Sequence, residues 1–115
     1  MNVGLLIIGS MIAVTTAFVR TAPPRQEPDG KAIYDENCKR CHGVIGTPPK
    51  TMKAKYPKIA TFNAEFIAEH SEDSIVKVLT KGKNEDMKSF KDKMTPAEMA
   101  AVAKYVRQLA SKPGG

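Results

Sequence analysis

Cys38-Lys39-Arg40-Cys41-His42 is the stretch on which the reading of this 115-residue chain turns. On a helical turn its two cysteines and its histidine stand at i, i+3 and i+4. Their side chains then share one face, while Lys39 and Arg40 point elsewhere. The result is a compact set of two thiols and one imidazole, made from the only two cysteines in the chain.

Four chemistries use such a set. Zinc needs four ligands, and His70 is the one remaining histidine to complete them. A redox dithiol sits at the start of a helix that follows a strand, and no βαβ pattern is present. A disulfide across a two-residue gap is the plainest alternative, although it would restrain the unfolded chain little. The fourth is covalent haem attachment. Two thiols on one helical face can form thioethers along one haem edge, and the imidazole beside them reaches the iron from the same side.

Chain length favours the fourth. Residues 3–19 are apolar and uncharged, and residues 20–29 are polar and rich in proline. Roughly 85 residues remain, a size at which a protein core alone is thin and a large cofactor serves as a staple. The net charge of +6 resides in residues 30–115, where 16 Lys and Arg face 10 Asp and Glu. A basic surface of this kind suits acidic partners or anionic lipid. No nucleic-acid-binding motif accompanies it.

The elements read as helices throughout. Asp29 is the expected N-cap of a helix that carries Gly30, Tyr34 and Cys38 on one face. A loop rich in Gly and Pro is expected after His42, through Gly43, Gly46, Pro48, Pro49 and Pro57. Phe62 and Phe66 mark a short middle helix. Ser71 starts another, with Ile75, Val78 and Leu79 facing inward and Gly82 as its stop. Thr95-Pro96-Ala97-Glu98 combines an N-cap, a Pro at the first helical position and a capping-box Glu. The helix that follows places Val102, Tyr105, Val106 and Leu109 on one stripe. No segment alternates long enough for a strand, so the fold class is all-α, without internal repeats.

The apolar run at residues 3–19 would span about 25 Å as a helix at 1.5 Å per residue, against a hydrocarbon core of ~30 Å. It reads as a transmembrane anchor or a signal peptide over residues 1–19. Residues 20–28 then form a Pro-rich linker and residues 29–115 the folded domain. Thr15-Thr16-Ala17 would serve as a cleavage site. Arg20 and Arg25 run against the positive-inside tendency for an anchor. The expectation carried forward is an N-terminal apolar helix that holds the domain at the periplasmic side of the cytoplasmic membrane. Cleavage would make the domain soluble in the periplasm.

Taken in order, three runs resemble the class I monohaem c-type cytochromes over about residues 29–111. They are Gly30-x-x-x-Tyr34-x-x-x-Cys38-x-x-Cys41-His42-Gly43, then Gly82-Lys83 through Met87-Lys88-Ser89-Phe90, then Met94-Thr95-Pro96-x-Glu98 into Tyr105-Val106-Arg107-x-Leu109. The resemblance implies a cytochrome c fold in which the first and last helices pack together. Gly30 and Tyr34 would then meet the Val102, Tyr105 and Leu109 face. It implies one covalently attached haem c held by Cys38, Cys41 and His42, with iron ligated by His42 and a methionine. It also implies a Pro carbonyl that accepts the His42 ring N–H, for which Pro57 is the choice.

Of the domain's methionines, Met94 and Met99 are placed to form a hydrophobic staple. Met52 lies among Lys50, Lys53 and Lys55 in an exposed-looking stretch. Met87 lies between two helices, matches the family's Met-x-x-Phe pattern, and is the expected sixth ligand.

The function implied is electron transfer rather than catalysis. Lys39, Arg40, Lys50, Lys53, Lys55, Lys81, Lys83, Lys88, Lys91 and Lys93 would steer acidic redox partners. A fixed haem subunit of a membrane respiratory or photosynthetic complex is the alternative. A ligand-binding haem sensor or peroxidase-like protein would need the Met87 position open.

Overall fold

The computed structural model describes residue 14 and residues 16–112, and every regular element among them is helical. In chain order these are α1 (Gly30–Asn37), α2 (Lys39–His42), α3 (Lys50–Lys55), α4 (Ala64–Glu69), α5 (Glu72–Lys81) and α6 (Pro96–Ala110).

The starts of α1, α4, α5 and α6 are set by side chains that take up the free N–H groups of the first turn. Asp29 accepts from the Lys31 and Ala32 amides, Asn63 from Phe66, Ser71 from Ser74, and Thr95 from Glu98. The Glu98 carboxylate returns a bond to the Thr95 amide at 2.7 Å, which completes the expected capping box. Gly82 ends α5 at φ +75°, where a side chain would be strained and its Cβ would lie 2.7 Å from the Ser89 nitrogen.

The long helix α6 is the hub, and α1, α4 and α5 all pack against it. The α1–α6 crossing depends on Gly30. A Cβ there would stand 2.2 Å from the Ala101 carbonyl oxygen and 3.1 Å from Tyr105 Cβ. Tyr34, fully buried, sits 5.4 Å from the Tyr105 ring, so the expected meeting of the first and last helices is present. The core comprises Tyr34, Cys38, Phe62, Leu79, Met94, Met99, Val102, Val106, Leu109 and Ala110. Arg107 ties α4 to α6 by donating from one guanidinium nitrogen to the carbonyls of Ile67 and His70 at the end of α4.

Three expectations change. The stretch after His42 is not wholly loop, because Lys50–Lys55 forms α3, a run of good helix formers started by Pro49 in extended geometry. Phe62 lies before α4 rather than within it, since Asn63 caps that helix. The described end of the apolar N-terminal run, residue 14 and residues 16–19, is exposed and not helical. The rest of that run lies outside the described residues, and no described helix is long and apolar enough to cross a membrane.

Candidate functional site

The Cys38–His42 segment is a single turn hung from the end of α1. Cys38 breaks the helix at φ −119° and ψ −41°, yet its carbonyl still accepts from the amides of Cys41 at 3.1 Å and His42 at 2.9 Å. The i, i+3, i+4 arrangement read from the sequence is therefore kept across the break. Gly43 follows at φ +83°, where a Cβ would come within 2.0 Å of the Thr47 carbonyl oxygen. The Gly43 carbonyl accepts a 2.6 Å bond from the buried Tyr34 hydroxyl, which anchors the end of the motif to the core.

Both cysteines are free, with Cys38 buried and Cys41 partly buried. Burial, and secondarily the neighbouring Cys41, push the Cys38 thiol up to about 12. This disfavours a redox dithiol, whose attacking sulfur needs a lowered pKa. Among the described residues no group of three or more His, Cys, Asp or Glu is placed to hold a metal ion, so the donors do not converge as zinc requires. Thioether attachment makes no such demand, because the two sulfurs bond to the edge of a flat ring system.

His42 is held in one tautomer. Its Nδ1 lies 3.3 Å from the Ala60 carbonyl oxygen. A carbonyl can only accept, so Nδ1 carries the proton and Nε2 keeps its lone pair for a metal. Burial lowers the His42 pKa, partly opposed by the Ala60 bond, and favours the neutral imidazole that ligation needs. The acceptor is Ala60 and not Pro57. Pro57 is exposed, and the chain turns through the Tyr56–Ile59 bond to present the carbonyl of Ala60 instead. The spacing between such a carbonyl and its histidine depends on loop length, which sequence pattern does not set.

Met87 sits in a braced loop. The Asn84 side chain accepts from the amides of Asp86 at 3.0 Å and Met87 at 2.8 Å, and the Met87 carbonyl accepts from Lys83 at 2.8 Å. Phe90 donates to the Leu79 carbonyl at 2.7 Å and Ser89 to Thr80 at 2.6 Å, folding the loop back on α5. Met87 itself is half-buried and packs against the core. Met94 and Met99 are core residues at 5% and 4% exposure, which fits the staple expected of them. Met52 is half-buried rather than exposed.

These residues fit a covalently attached haem. The donor set is two free thiols and an imidazole with an available Nε2. The domain also carries an apolar surplus that the protein covers only in part: Met52, Tyr56, Ile59, Val78, Met87 and Phe90 are all half-buried. The helix α3 has only six residues and makes no packing with another helix comparable to that around α6. A helix that short is marginal in water without a partner.

Charge divides sharply along the chain. Residues 37–64 carry Lys39, Arg40, Lys50, Lys53, Lys55 and Lys58 and no acid. Residues 59–76 carry Glu65, Glu69, Glu72 and Asp73 and no Lys or Arg. Val44 and Ile45, at 69% and 50% exposure, project beside the motif between Gly43 and Gly46.

Comparison with known proteins points the same way. The family described as cytochrome c oxidase, cbb3-type, subunit III matches residues 25–106. The chain is similar to a cbb3-type cytochrome c oxidase subunit CcoP from Azospirillum brasilense, at 29% identity over 70% of this chain. That match spans only 27% of the CcoP protein. It is also similar to cytochrome c6 from a Nostoc species, at 28% identity over 88% of this chain and 86% of that protein. Among solved structures, the KustC0563 c-type cytochrome superposes with a TM-score of 0.64 at 35% identity, covering 71% of this chain and 98% of that one. A mutant of the same cytochrome superposes with a TM-score of 0.63.

Proposed function

The chain belongs to the family of cbb3-type cytochrome c oxidase subunit III, as a class I monohaem c-type cytochrome with one covalently bound haem c, and from that premise we propose that it passes single electrons between redox proteins through a haem ligated by His42 and Met87. Cys38 and Cys41 form the thioethers, and His42 supplies the fixed axial nitrogen. The haem supplies the one-electron couple, and methionine ligation raises its potential. The carrying observation is the Cys38–His42 turn, with both thiols free and the His42 Nδ1 committed to Ala60. The braced loop around Asn84 supports Met87 as the second ligand.

The basic run over residues 37–64, with the exposed Val44 and Ile45 inside it, is the face for an acidic redox partner. An apolar centre within a charged rim is the usual anatomy of a transient interface. The relation to CcoP and the apolar run at residues 3–19 support a place at the outer face of the cytoplasmic membrane. The same relation favours a second reading, a fixed haem subunit of a membrane oxidase.

Carbon monoxide tests the ligation. The reduced protein, with both axial positions filled, binds it slowly or not at all, whereas Met87→Ala binds it rapidly. Rapid binding by the unmodified protein would instead favour a ligand-sensing haem.

A further inference from the structure

The imidazole of His42 has a second restraint besides its bond to Ala60. We infer that Phe62 is a positioning residue for His42, fixing the plane of the ligating ring by stacking on it. The inference rests on the reading of His42 as the iron ligand.

The two rings lie 4.6 Å apart between centroids and only 16° from parallel. The hydrogen bond from Nδ1 to Ala60 is long at 3.3 Å, and carbonyl oxygens accept over a broad range of directions. That bond alone leaves the imidazole free to turn about the axis through its ligating nitrogen. A flat partner held face to face removes that freedom, because turning the ring would drive its edge into the stacked face.

Phe62 can do this because it is itself clamped from several sides. Its amide donates to the Gly46 carbonyl at 2.8 Å. Gly46 adopts φ +83°, and any Cβ there would stand 2.8 Å from Phe62 Cβ. The Tyr34 ring meets it edge-on at 6.3 Å, and the Phe66 ring packs at 4.9 Å. Phe62 is 8% exposed. Loop, first helix and fourth helix thus converge on one ring, which passes their rigidity to the imidazole.

The imidazole plane, together with the second axial ligand, governs how unpaired spin is distributed over an oxidised haem, so the test reads that distribution and not turnover. Proton NMR of the oxidised protein reports it as the order and spread of the haem-methyl shifts. Phe62→Leu keeps an apolar side chain but no flat face, and is expected to change that order or spread. Phe62→Tyr is expected to restore the native pattern. Phe66→Leu, which removes one side of the clamp but keeps the stacked face, is expected to lower the melting temperature and to move the pattern less than Phe62→Leu does.

Should Phe62→Leu fail to fold, the native protein still decides the matter. Overhauser contacts between the Phe62 and His42 ring protons are expected, and their absence overturns the inference. An unchanged methyl pattern in Phe62→Leu overturns it as well. A native protein that carries no haem would overturn the haem reading instead, and intact mass separates that case from these.

Discussion

Gly30→Ala is the perturbation that tests the helix crossing most sharply. The new methyl would sit 2.2 Å from the Ala101 carbonyl oxygen and 2.8 Å from its carbon, both backbone atoms of α6. Ordinary contact begins near 3.4 Å, so α1 and α6 must part by roughly 1 Å. That separation would loosen Tyr34 and Val102, the largest fully buried side chains, along with the Tyr34–Tyr105 contact. Overpacking of this kind costs about 1–3 kcal/mol, and relief is limited because no flexible side-chain end is available to move. Alanine's better helix propensity returns at most about 1 kcal/mol, and less in the first turn. A net loss of about 1–2 kcal/mol lowers the melting temperature of a domain this size by about 4–16 °C.

The assay is thermal unfolding followed by circular dichroism, with Ala32→Gly on the exposed side of α1 as the control for propensity. If Gly30→Ala melts at or above the native temperature, the close crossing is not what holds these helices.

Tyr34→Phe strands the Gly43 carbonyl and should cost about 1–3 kcal/mol. It should also change the alkaline limb of the stability curve. Burial raises the Tyr34 phenol above its ordinary value of about 10. The unfolded chain therefore loses this proton first, binds fewer protons than the native state, and stability falls as pH rises from there; titration of Tyr34→Phe should show a shallower fall, and an identical slope would contradict the burial argument. Met94→Ala should lose about 2–5 kcal/mol from a core cavity without opening the iron to carbon monoxide, in contrast to Met87→Ala. Electron transfer to an acidic partner should slow steeply as salt rises, and a rate indifferent to ionic strength would remove the steering role of the lysines. A membrane-bound subunit should remain with detergent-solubilised membranes on fractionation, whereas a diffusing carrier should appear in the soluble fraction.

Much of this architecture was legible in the residues because its signals are local. Asp29, Ser71 and Thr95 each announce a helix start by a side chain that reaches two or three residues ahead. The spacing of Cys38, Cys41 and His42 likewise survives a break in the helix, because one turn suffices to carry it. What escaped the sequence is what depends on distant parts of the chain meeting. Ala60 serves His42 through its backbone, so nothing in its side chain marks it. Phe62 reads as part of a helical pair with Phe66, and only the fold shows its face against an imidazole twenty residues earlier. Asn84 does have a local signature, a side chain that caps its own turn, but beside Met87 it reads as an ordinary loop residue. The helix α3 was hidden by the prolines on either side of it, Pro49 and Pro57, which bound the helix rather than prevent it.

If Cys38 and Cys41 hold the haem by covalent bonds, intact-mass spectrometry of the acid-unfolded protein will read it. The expected mass is that of the polypeptide plus one haem, retained on unfolding and lost only when both cysteines are replaced by alanine. A bare polypeptide mass from the native sequence, or a haem that leaves on unfolding, would contradict it.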